Sequence, residues 1–228
     1  MFQKDWLARQ LEALATLSAQ ILLLRQKGDN KTAQDLIDAA YGEMLGLDPR
    51  LVGLLPTDFL INKVRTGDRI DGHRALVLAA LLREHAGLAQ ASSDSASPDD
   101  SGKQALLQRS LSVFLACAED GTLPPEHGQW YDPHQALDAL TPDALAPELK
   151  YRLFHYFEDA GQYAEAENVL FDLIESSPAP QAIIAEGVSF YEWLLGQDDA
   201  DLIAGNLPRD EVDESLARLL AMQSQTAA

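Results

Sequence analysis

Apolar residues recur along this chain at helical rather than strand spacing. Leu7, Leu11, Leu14 and Ile21 fall at i, i+4, i+7 and i+14, which predicts an amphipathic helix from about Lys4 to Gln26 that Gly28 stops. The stretch NKTAQDLIDAAYGEMLGLDP places Ala33, Leu36, Ile37, Ala40, Met44 and Leu47 on one face, and Asp48-Pro49 marks a new helix start. A helical hairpin follows from these two runs. PTDFLINKV predicts a short helix capped by Thr57 or Asp58, and DGHRALVLAALLREHAGL a longer one, apolar nearly all round and therefore central to the core.

Residues 89–103, AQASSDSASPDDSGK, hold too little apolar area to offset their ordering entropy and predict a mobile surface loop. Periodicity resumes with Leu107, Leu111, Phe114, Leu115 and Ala118. Six prolines and glycines then break up residues 121–146, a Pro-rich seam between an N-terminal helical region, 1–120, and a C-terminal one, 147–228. Beyond it, Leu149, Leu153, Phe157 and Ala160 share one face of a helix that ends at Gly161. Its partner carries Tyr163, Ala166, Val169, Leu170, Leu173 and Ile174, and QAIIAEGVSFYEWLL and LPRDEVDESLARLLAMQ supply two more helices. No segment sustains two-residue alternation, so the predicted class is all-α without a sheet.

Composition narrows function more than fold. Seventeen Lys and Arg against 36 Asp and Glu give a net charge of −19, which repels nucleic-acid phosphates and anionic membrane surfaces and suits either a solvated surface or a basic partner. Cys117 is the single cysteine, so there is no intramolecular disulfide or thiolate cluster; its apolar neighbours predict a buried small hydrophobe. The charged opening MFQKDWLARQLEAL does not read as a secretory leader. No wholly apolar stretch approaches the roughly 20 residues of a membrane span, so a cytoplasmic location is expected.

Setting Gly28 over Gly161 brings Asp29 onto Gln162, Ala33 onto Ala166, Leu36 onto Val169, Ile37 onto Leu170 and Ala40 onto Leu173. Gly161, Tyr163, Ala166, Leu170 and Pro178 also stand at the spacings of the tetratricopeptide repeat, which the unit Pro147 to Pro178 resembles; Leu153 and Phe157 fall where its first helix carries a large aliphatic and an aromatic. Phe154 departs from the small residue usual at its position. The resemblance implies stacked antiparallel helical hairpins with a short C-terminal helical extension, and a concave face lined by the first helix of each repeat, here Tyr151, His155 and Glu158. Tyr151 and His155 replace the Lys and Asn of the family's clamp for a C-terminal carboxylate, so that peptide mode is disfavoured. The MFQKDW opening and LPRDEV segment also resemble an uncharacterised group of bacterial proteins, which implies no activity.

Chemical motifs are sparse. Glu126, His127, Asp132 and His134 could offer metal ligands, but seven residues separate the histidines through Gly and Pro, and Asp132 before Pro133 reads better as a helix N-cap. His155 and Glu158, at i and i+3, could form an acid/base pair. Phosphate-loop, nucleophile-elbow and HExxH motifs are absent. Trp6, Trp130 and Trp193 read as core or interface anchors, with Trp130 the one to suspect of ligand contact. The expectation is a non-enzymatic helical-repeat protein, without cofactor or metal, that binds a protein or basic peptide, or its own copy, through Tyr151, His155, Glu158 and Trp130. The alternative is a small-molecule or metal-dependent activity between the two halves near His127, Trp130 and His134.

Overall fold

The computed structural model describes residues 2–91, 100–141 and 144–226, with side chains for 12–88, 101–141 and 144–224. Among these residues the chain is all-α: its helices pack as neighbouring pairs, and the one strand pairing is a two-stranded ribbon. It divides into two compact units, Met1–Ala144 and Leu145–Ala228.

In the first unit, α1 (Phe2–Gln26) and α2 (Asn30–Ala40) form the expected hairpin. Leu14, Ile21, Ala33, Ile37 and Ala40 are buried; Leu7, Leu11 and Trp6 lie outside the described side chains. The face predicted for α2 does not continue unbroken, because Tyr41–Leu45 form a π turn that sends Tyr41 and Leu45 inward and leaves Met44 only half-buried. Asp48 caps α3 (Pro49–Val52) by accepting from the Arg50 N–H at 3.0 Å, as Asp48-Pro49 predicts. α4 (Thr57–Lys63) corrects its own expectation: the cap residue is Pro56, no side chain caps it, and Thr57 and Asp58 lie inside the first turn.

A second correction is the antiparallel ribbon of β1 (Arg65–Thr66) and β2 (Arg69–Ile70). Two-residue strands are too short to show an alternation; the signal was Gly67, which turns the chain at a φ of +64°. α5 (Gly72–Ala91) packs on α6 (Asp100–Glu119) in the most extensive helix contact of the unit, and every residue from Ala75 to Leu82 is buried. Residues 89–91 and 100–103 of the predicted loop are therefore helical, and the rest of that expectation, residues 92–99, lies outside the described residues. Ser110, fully buried, donates to the Ala79 carbonyl at 2.6 Å and lies 2.8 Å from the Tyr131 hydroxyl. Cys117 is buried as expected. In the Pro-rich segment Asp132 caps α7 (Pro133–Leu137), accepting from the His134 N–H at 3.0 Å.

The second unit begins with α8 (Pro147–Asp159) and α9 (Tyr163–Ser176), followed by α10 (Gln181–Leu194), a short α11 (Asp199–Ala204) that no periodicity announced, and α12 (Arg209–Thr226). Leu149, Leu153, Phe157, Ala166, Leu170 and Ile174 are buried, whereas Ala160 is exposed and Val169 half-buried. The sequence echo between the units has a backbone counterpart. Gly28 and Gly161 both adopt left-handed φ, +76° and +69°, and in each case the next residue's N–H closes onto the carbonyl five residues back, Asp29 to Leu24 and Gln162 to Phe157. α9, α10 and α12 are tied together by Glu167, whose Oε1 accepts from the Tyr191 hydroxyl at 2.6 Å and the Ser215 hydroxyl at 2.7 Å.

Candidate functional site

On α8 the positions of Tyr151, His155 and Glu158 fall at i, i+4 and i+7, one stripe of the helix, because Leu149, Leu153 and Phe157 are drawn into the core on another. The stripe is accessible: Tyr151 is 40% exposed. His155 Nδ1 lies 3.1 Å from Glu158 Oε2, and its Nε2 lies 3.1 Å from Glu186 Oε1 on α10. The Tyr151 hydroxyl donates to the same Glu186 oxygen at 2.7 Å. That bond, with lesser help from burial and the charges of Glu186 and Glu158, raises the Tyr151 phenol above its ordinary range. The Tyr151 ring meets the imidazole edge-on at 4.7 Å, and Phe154, beneath it, packs on both His155 and Phe190.

Glu158 also lines a neighbouring recess of about 600 Å³ with Asp159, Tyr163 and Trp193. Trp193 is 45% exposed and stands edge-on to Tyr163 at 5.8 Å. Carboxylates beside an accessible indole attract a cation twice over, by charge and by the ring's negative face. The cluster and the recess thus share one carboxylate and make a continuous acidic, aromatic surface.

A family model described as a family of unknown function, DUF6483, matches residues 1–224. The chain belongs to that family. No curated protein and no solved structure matches it.

Three of the four site residues expected from this family member's sequence, Tyr151, His155 and Glu158, are brought together. Trp130 belongs to the other unit, where it is half-buried and lines a recess of about 150 Å³ with Ser18, Arg83, Tyr131 and Gln135. His127 directs Nδ1 to the Pro124 carbonyl at 3.0 Å and packs its ring on Phe114, so its polar contact is with backbone. Among the described residues no group of three His, Cys, Asp or Glu side chains is arranged to hold a metal ion. Nor is any helix among them long and apolar enough to cross a membrane. Sequence reasoning missed Glu186 and the place of Trp193 in the recess beside Glu158. α8 and α10 begin 34 positions apart, at Pro147 and Gln181, and advancing Tyr151 by that offset lands beside Glu186.

Proposed function

We propose that this protein is a tetratricopeptide-like, non-enzymatic binding protein whose C-terminal unit receives a basic segment of a protein partner on the surface formed by Tyr151, His155, Glu158, Glu186 and Trp193. The repeat-like reading is supported by the 34-residue step from Pro147 to Gln181, which equals the tetratricopeptide period. That step also carries buried Lys150, Leu153 and Phe157 onto buried Ile184, Gly187 and Tyr191. The observation that carries the partner's charge is Glu158, shared between the histidine cluster and the Trp193 recess.

A Lys or Arg side chain fits this arrangement: its head meets carboxylates while its stem lies along the indole. The test is fluorescence anisotropy with labelled peptides of matched length, one Arg/Lys-rich and one Asp/Glu-rich. Binding of the basic peptide alone, weakened by added salt and by combined Glu158→Gln and Glu186→Gln, supports the proposal. Equal binding of both peptides, or no effect of the double substitution, refutes it.

A further inference from the structure

Against a chain charge of −19, one cavity of the N-terminal unit is cationic. It has a volume of about 440 Å³ and lies among α1, α5, α6 and the residues around α7, lined by Ser18, Arg25, Arg83, Glu84, Lys103 and Gln135 among others. We propose that this cavity is a binding site for a small molecule carrying a phosphate group.

The charges argue first. Arg25, Arg83 and Lys103 oppose the single acidic lining residue Glu84, a local sum of +2 that matches a phosphate monoester near neutral pH. Among the described residues neither Arg25 nor Lys103 has a carboxylate partner. Glu84 engages one nitrogen of Arg83, Nη2, at 3.2 Å. The other, Arg83 Nη1, is buried with no acceptor. Holding three cations against a single carboxylate is unfavourable, and an anion with several acceptor oxygens removes that cost.

Position argues next. The Arg83 guanidinium lies 5.5 Å over the Tyr131 ring, which fixes its fork, and Tyr131 is in turn hydrogen-bonded to buried Ser110. Arg25 reaches from α1 to α5 because Gly87 has no side chain: a Cβ there would lie 2.5 Å from Arg25 Nη1. The smaller recess that holds Trp130 shares Ser18, Arg83 and Gln135 with this cavity, and Trp130 Nε1 is a second buried donor without an acceptor. Across the two adjoining recesses, two buried N–H donors lack an acceptor and two cations lack a partner, whereas no buried acceptor among the described lining residues is left without a donor, a balance that selects an acceptor-rich anion. The volume falls in the range of about 300–1,000 Å³ common to metabolite sites.

The experiment is isothermal titration of the full chain with inorganic phosphate at constant ionic strength. Arg25→Gln and Lys103→Gln are the variants, and Arg50→Gln, an exposed cation on α3, is the control of equal charge change. Arg83→Gln is not needed, so a folding defect at this half-buried, ring-stacked position does not enter. Saturable binding, weakened about tenfold by loss of either charge-assisted contact and unchanged in Arg50→Gln, is expected. No saturable heat in the parent chain, or equal weakening in all three variants, overturns the assignment.

Discussion

The Tyr151 hydroxyl donates to Glu186 across 35 residues, at 2.7 Å, on the surface rather than in the core. Exposed polar pairs contribute little to folding, so Tyr151→Phe and Glu186→Gln should each change unfolding free energy by less than about 1 kcal/mol. A urea titration of each variant and of the pair checks this. Basic-peptide affinity, in contrast, should fall in Glu186→Gln, which separates a recognition role from a structural one.

Directly beneath that pair the energetics reverse. Phe154 is 1% exposed and meets Phe190 edge-on at 5.3 Å. Phe154→Ala should destabilise the protein by about 3–5 kcal/mol, transfer and cavity terms together. A lower urea midpoint by far-ultraviolet circular dichroism is the expected result.

Stability should decline at both ends of the pH scale. Burial raises the phenols of Tyr41, Tyr131 and Tyr191, that of Tyr131 to about 12. The unfolded chain therefore releases these protons near pH 10 while the native chain holds them, so stability falls as pH rises past about 10. Absorbance at alkaline pH should show three of the six tyrosines ionising only with unfolding. His85 behaves oppositely: burial lowers its pKa despite nearby Asp38, and its Nδ1 is buried without a partner. The unfolded chain takes up that proton first, so stability is lost as pH falls through about 6.5. In His85→Gln the acid-side slope of thermal midpoint against pH should be shallower.

Cys117 is fully buried, with its thiol pushed up to about 11 mainly by burial. The thiolate is the reactive form, so a disulfide reagent at neutral pH should leave the native protein essentially untouched and titrate one thiol once urea is added. Rapid native-state reaction would contradict this burial.

Helix positions were legible where periodicity was long. Leu14 and Ile21, and the run Ala75 to Leu82, announced α1 and α5, and Asp48 and Asp132 announced their caps through the proline that follows each. What periodicity could not resolve is short or non-local. The ribbon at 65–70 has two residues per strand, and α11 has six. The α8 stripe named Tyr151, His155 and Glu158, because helical spacing alone places them together. Glu186 completes the cluster from a different helix, so it became visible only once α10 was set beside α8. The cavity of Arg25, Arg83 and Lys103 is the extreme case: its cations come from three helices, and no local pattern links them.

The π turn at Tyr41–Leu45 works as a phase shifter. Each turn of a π helix holds nearly one residue more than an α turn, so the segment rotates everything after Ala40 by most of one residue's angular step without lengthening the hairpin. A residue added or removed there changes which side chains reach the core at Leu45 and Leu47, whereas the same change at an exposed turn only alters loop length. Among relatives, length variation should therefore spare residues 41–45 and collect where the chain turns in solvent.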